Sequence, residues 1–183
     1  MEYLISQIFW YLLIAFILGA VVGWFVCQQG SKKKIAALEA RLAAGKSGTP
    51  VESIEGIGSG FGNRLKADGI STTEALLELC ATDDGVARVC QCVDLDADTV
   101  RNWGTMADLM RINGLGGQWA ELMWRAGVTS VQDLAQREIE PLRARMREVN
   151  DAENRVAELP GENRVAKFLQ EAGRLKSVLP DRG

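Results

Sequence analysis

The chain opens on an unbroken apolar run. Residues 8–26 read IFWYLLIAFILGAVVGWFV, nineteen positions without a charge, and Leu4 and Ile5 extend it. A helix needs about 20 apolar residues to cross the hydrocarbon core of a bilayer. A buried soluble helix would carry a polar stripe, and this run has none. The pattern predicts a transmembrane anchor within residues 1–30. A cleaved signal peptide fits poorly, because the basic residues follow the apolar run instead of preceding it.

Beyond residue 30 the pattern turns to helical spacing. Residues 33–44 are good helix formers, with Ile35, Leu38 and Leu42 on one face. They predict a helical stalk of less than two heptads, too short for a coiled coil. Gly45, Gly48 and Pro50 then break it and predict a flexible joint. Residues 31–50 thus form a basic stalk and linker, and residues 51–183 a body. In the body, Asp96 predicts the cap of a helix running to about Arg111, with Val100, Trp103, Ala107 and Met110 as its apolar stripe. Glu140 and Pro141 predict another helix start and Leu159, Pro160 and Gly161 its stop. A last helix is expected from Glu162 to about Val178. No strand-length alternation stands out, so the expected fold is all-α: one N-terminal transmembrane helix plus a multi-helix domain.

The body repeats itself. Ile54, Glu55, Gly56, Ile57 and Gly58 return 58 residues later as Ile112, Asn113, Gly114, Leu115 and Gly116. The same offset pairs Phe61 with Trp119, Leu65 with Met123, Gly69 with Gly127, Ile70 with Val128 and Leu76 with Leu134. It also pairs Ser71 and Glu74 with Thr129 and Gln132, which predicts two capping boxes. Each copy reads as a tight Gly-apolar-Gly turn, a helix, a glycine stop at Gly69 or Gly127, and a further helix. Ile57 and Leu115 are expected to plug the space between the helices. This is the helix-hairpin-helix pattern.

Charge divides the chain. Its 183 residues carry a net charge of −3 and no histidine. The missing histidine excludes Ser-His-Asp and Cys-His nucleophile pairs and histidine-ligated zinc or haem. Residues 1–50 hold five basic against two acidic side chains, +3; residues 51–183 hold sixteen against twenty-two, −6. Lys32, Lys33 and Lys34 follow the apolar run directly, while Glu2 is the one charged side chain before it. By the positive-inside rule, the N-terminus lies outside and the C-terminal domain in the cytoplasm, on the inner membrane. The same lysines would attract anionic lipid.

Candidate chemistry is sparse. The amides of a Gly-rich turn at a helix N-terminus suit a phosphate oxygen, so Gly56, Ile57, Gly58, Gly114, Leu115 and Gly116 are candidate phosphate-binding or docking turns. Arg64 and Lys66 back the first turn; Gln118, Trp119, Glu121 and Arg125 follow the second, where Glu121 would repel a phosphate. Gly45, Lys46 and Ser47 imitate a nucleotide-binding loop, but Ala40 stands where its first glycine is required. Cys80, Cys90 and Cys92 lack the paired spacing of zinc ribbons. No catalytic, metal or cofactor residue is assigned, and the expected protein is not an enzyme.

The stretch of residues 51–175 resembles an uncharacterised bacterial domain family built on tandem helix-hairpin-helix motifs. The carrying segments are IEGIGSGFGNRLKADGISTTEALLE, NWGTMADLMRINGLGGQWAELMWRAGVTSVQDLA and MREVN. The resemblance implies the fold and an N-terminal membrane helix, and no activity. The leading expectation is a membrane-anchored interaction module, a scaffold or accessory subunit whose helical domain docks on a protein partner or membrane complex. Trp119 and Trp124 are candidate exposed contacts. The alternative is a tether binding DNA or RNA phosphates through the two turns.

Ala15, Gly19 and Gly23 recur every four residues, so they share one helix face where a second membrane helix could approach closely, including that of another copy of the chain. Gly19→Leu is expected to abolish such association; unchanged cross-linking in that variant would refute it.

Overall fold

Threonine, serine and aspartate punctuate the body at places where a side-chain oxygen can accept an otherwise unpaired amide one turn into a helix. Thr72 accepts from the Ala75 amide at 3.2 Å and Thr82 from Gly85 at 3.1 Å. Asp96 accepts from Thr99 at 2.8 Å, and Ser130 from Asp133 at 3.1 Å. Each marks a helix start in the computed structural model, which describes residues 48–180. The expected anchor, its Ala15, Gly19 and Gly23 face and the stalk lie outside the described residues. Among those described, no helix is long and apolar enough to cross a membrane.

A 3₁₀ turn, Val51–Ser53, leads into eight α-helices: α1 (Ser59–Ala67), α2 (Thr73–Cys80), α3 (Asp83–Val93), α4 (Ala97–Leu109), α5 (Gly117–Arg125), α6 (Val131–Gln136), α7 (Ile139–Glu153) and α8 (Glu162–Ala172). The described residues contain no strand, so this part of the chain is all-α. Helix α4 packs against α2, α3 and α5; α1 lies on α3, and α8 on α6 and α7. Residues 103–109 are all buried, so the second half of α4 is enclosed on every side instead of presenting one stripe. Close packing there requires Gly104, where an added Cβ would fall 2.7 Å from Cys80 Cβ.

The duplication holds in the backbone. Gly56 and Gly114 have φ of +88° and +79°, and Gly69 and Gly127 have +86° and +92°. These are left-handed conformations that a side chain disfavours. Helix α1 ends with Gly69 N–H donating to Lys66 at 3.1 Å and Ile70 N–H to Leu65 at 2.8 Å. Helix α5 ends the same way, Gly127 to Trp124 at 2.9 Å and Val128 to Met123 at 3.0 Å. This paired pattern is the Schellman motif. Ile57 and Leu115 plug the turns, 2% and 3% exposed, each burial contributing about 2 kcal/mol.

Several expected boundaries move. The caps of α2 and α6 are Thr72 and Ser130, one residue beyond Ser71 and Thr129, so Glu74 and Gln132 do not close capping boxes. Ser71 and Thr129 instead present their carbonyls to the preceding segment of each copy, as acceptors from the Val51 amide at 3.1 Å and the Thr105 hydroxyl at 3.3 Å. Helix α7 ends at Glu153, well before Pro160, because Asn154 takes a left-handed conformation (φ 50°). The Asn150 side chain then bonds both the amide and the carbonyl of Val156. Helix α4 stops at Leu109, where the chain turns into Gly114, and α8 at Ala172, before Gly173. The tail then returns to bury Leu179 beside Gly104. Helix α3 adds an element to those expected.

Enclosing α4 buries two polar side chains, Thr105 and Asp108. Asp108 Oδ2 accepts the first amide of α6, Val131, at 2.9 Å, and Oδ1 pairs with Arg111 at 2.6 Å. In copy one the equivalent amide, Thr73, donates to the Thr49 carbonyl at 2.9 Å. Asp108→Ala is expected to cost about 3 kcal/mol, because it leaves the Val131 amide without an acceptor and deprives the Arg111 guanidinium of its buried carboxylate. Urea unfolding of residues 45–183 followed by circular dichroism measures it; a loss below about 1 kcal/mol would refute the role.

At the start of α6, burial pushes the Asp133 carboxyl up, but the Arg137 guanidinium and the Thr129 amide outweigh it and hold the group below the ordinary aspartate range. A depressed carboxyl stabilises the fold above its unfolded value of about 3.9 and loses that contribution as pH falls through the folded one. The melting temperature of Asp133→Asn should therefore fall less steeply than the parent's in acid below that range. Parallel curves would contradict this.

Candidate functional site

Each Gly-apolar-Gly turn delivers the chain into a helix without a side-chain cap. Gly58 and Gly116 occupy the N-cap positions in extended conformation and have no side chain to offer. The first internal bonds are Gly62 N–H to Gly58 at 2.9 Å and Ala120 N–H to Gly116 at 3.0 Å. The amides of Ser59, Gly60 and Phe61, and of Gly117, Gln118 and Trp119, therefore have no hydrogen-bond acceptor within the described residues. Both turns open into shallow grooves. The first is lined by Gly56, Gly58, Ser59, Gly60, Phe61 and Arg64. The second is lined by Gly114, Gly116, Gly117, Gln118, Trp119 and Arg164. The plugs Ile57 and Leu115 are buried and shape the turns without facing solvent.

The basic residues expected to back the first turn are engaged elsewhere. Arg64 reaches the groove, but its Nη1 donates to the Val93 carbonyl at 2.9 Å, at the end of α3. Lys66 pairs with Glu52, and that ion pair holds the Glu52 carboxyl below its ordinary range. Arg88 answers from α3, bonding the carbonyl and carboxylate of Asp68 at the end of α1, at 3.1 and 3.0 Å. Arg137 likewise bonds Gly127 O at 2.7 Å, after α5. Positive side chains at helix C-termini complement the unpaired carbonyls there.

In copy two the expected repulsion from Glu121 is met by pairing. Glu121 bonds Arg125 at 3.0 Å and Arg155 at 3.5 Å, and both arginines also reach Glu153, at 2.9 and 3.0 Å. Trp119 and Trp124 are half-buried, not the exposed contacts expected. Trp119 packs on Phe168 with ring centres 6.0 Å apart and donates its indole N–H to Glu158 O at 3.2 Å. Arg125 lies over the Trp124 ring at 5.2 Å.

One groove residue escapes sequence reasoning, and so does the place of a stripe residue behind the first turn. Arg164 comes from α8 and sits 5.0 Å above the Trp119 ring, supplying the cation that copy two lacks locally. Trp103 comes from α4 and packs on Phe61 at 5.5 Å, its Nε1 beneath Gly56. Neither position has a partner in the 58-residue repeat, so the repeat does not announce Arg164, and the apolar stripe marks Trp103 as core without placing it at the turn. The cysteines do not converge: Cys80 is buried, and the Cys92 thiol donates to Arg64 O at 3.4 Å. Burial and then Asp68 push the Cys92 thiol above its usual range, which makes it a poor nucleophile. Among the described residues, no three His, Cys, Asp or Glu side chains gather around a metal-sized space.

No curated protein and no solved structure matches the chain. One family model does, over residues 55–175, which takes in both turns and reaches the tail that packs behind α4. On that match, the chain belongs to the family described as Domain of unknown function (DUF4332).

Proposed function

We propose that the protein is a membrane-anchored, non-enzymatic interaction module. Its apolar residues 8–26 form a single span in the inner membrane of a bacterium, with the N-terminus outside. Its helical body hangs in the cytoplasm as a scaffold or accessory subunit for a protein partner or membrane complex. The two glycine turns are helix-hairpin-helix motifs that serve chiefly as packing units. The observation carrying this reading is the engagement of cations: Arg64, Lys66, Arg88, Arg111, Arg125 and Arg137 all bond acceptors inside the body. A surface built to follow a nucleic-acid backbone keeps such side chains free. Every leucine, isoleucine, valine, phenylalanine, tryptophan and methionine of the described residues is buried or half-buried. Docking on the body therefore proceeds through polar contacts, with a further helix contact through Gly19 in the membrane.

A second reading is a membrane tether for DNA or RNA phosphates, favoured by the unpaired amides at Ser59, Gly60 and Phe61. Purification of the full-length protein from native membranes in mild detergent, with and without nuclease, separates the two. A stoichiometric protein partner that survives nuclease is the expected result. Nucleic acid recovered in a salt-sensitive manner, with partners lost after nuclease, would replace the first reading by the second.

A further inference from the structure

Between α7 and the chain that leads into α8, the surface of the body has a recess with apolar walls. Met146, Leu159 and Pro160 line it, together with Arg143 and Arg147. Its shape is set before any ligand arrives. Asn154 turns the chain back at the end of α7, and the Asn150 side chain holds Val156 by both its amide and its carbonyl. From α5, the Trp119 indole holds the Glu158 carbonyl. Leu159 and Pro160 are thereby laid beside Met146, and a preformed recess leaves a ligand little ordering to impose.

The recess holds about 30 Å³, room for about two water-sized groups. The two methyls of a valine fit there; an acyl chain or an aromatic ring does not. Its charge is one-sided, since no carboxylate lines it. Arg143 and Arg147 lie one turn apart on α7, a spacing at which like charges repel. Arg147 is exposed and has neither ion pair nor hydrogen bond among the described residues. Arg143 donates to Glu140 at 3.1 Å, but that carboxylate is 73% exposed, and surface pairs of this kind hold weakly. The arginine between them, Arg145, is taken up by Glu148 at 2.6 Å and does not line the recess.

We propose that the recess takes the last residue of a partner polypeptide, one that ends in valine or an equally small branched side chain. The side chain fills the apolar part, and the α-carboxylate is held by the Arg147 guanidinium, with Arg143 as second donor. A chain end carries an anion and a short apolar group on one carbon atom. An internal aspartate or glutamate brings its charge at the tip of the side chain, where the apolar walls would strip it of water. A nucleic-acid phosphate has nothing apolar to offer the recess. A guanidinium matches a carboxylate through two parallel hydrogen bonds. This rests on the interaction-module reading above and specifies which end of the partner docks.

The test is an anisotropy titration of the full-length protein in detergent with a fluorescein-labelled glycine-serine hexapeptide ending in valine. Saturable binding is expected. Amidating the C-terminus, or replacing the valine by glycine, should weaken it by about tenfold. Arg147→Gln should lose the same factor against the free acid and nothing against the amide, while Arg145→Gln should lose nothing. Arg147 is exposed, so its variant keeps the fold, which circular dichroism checks. Equal binding of acid and amide, or equal loss in both arginine variants, would overturn the site. So would an amidated peptide with an internal aspartate that binds as well as the free acid. Isobutyrate that competes on a par with the peptide overturns it too, because the ligand is then a small carboxylate. If the peptide fails to bind while a protein partner still co-purifies from membranes, the site is removed and the interaction module stands.

Discussion

A helix enclosed on every side has no water to satisfy its polar groups, so each must find a partner in a neighbouring element. That constraint on the enclosed half of α4, residues 103–109, organises the body. Its backbone is satisfied internally, so contact with the second helix of its own copy passes to side chains. Asp108 bonds the first amide of α6, and Thr105 the Thr129 carbonyl. Copy one solves the same problem differently, because an extended segment and a 3₁₀ turn precede its glycines where copy two has a helix. There the free backbone does the work: Thr49 O accepts from Thr73, and Val51 N–H donates to Ser71. Asp108 and Thr105 thus stand in for main-chain groups that helix formation has consumed.

Arginine plays the complementary part at helix ends. Arg64 of α1 serves the last carbonyl of α3, and Arg88 of α3 serves the last residues of α1. The pair latches two helices reciprocally, each side chain closing the other's terminus. Arg111 ties Asp108 to the carbonyl of Lys176 in the tail. Exposed ion pairs of this kind each contribute little in isolation, but here they also satisfy main-chain carbonyls. In a body with net charge −6, many of the cations are thus paired with the chain's own carboxylates and carbonyls at the surface.

The architecture was legible where the signal was local. The 58-residue offset, the glycines that need positive φ and the Asp96 cap are visible in the sequence and recur in the fold. Where partners come from afar, the sequence is silent. Nothing near Asp108 in the chain announces that Val131 will need an acceptor, and nothing near Gly114 announces Arg164. The shift of the caps to Thr72 and Ser130 follows from carbonyl bonds made to other segments. The early end of α7 hangs on Asn154, whose side chain tolerates a left-handed backbone, and the more conspicuous Pro160 misled. Trp119 and Trp124 misled for a related reason: large aromatics in a short amphipathic helix suggest contact surfaces, while in the fold they cover the core.

The close approach of Gly117 to the Ser53 carbonyl has a consequence for how alike the two copies can be. Ser59 stands at the matching position of the first copy, whereas a serine at 117 would set its Cβ 2.1 Å from that carbonyl oxygen. The copies are therefore not interchangeable: contact between them holds one position as glycine, so the duplication can drift apart there but cannot drift back.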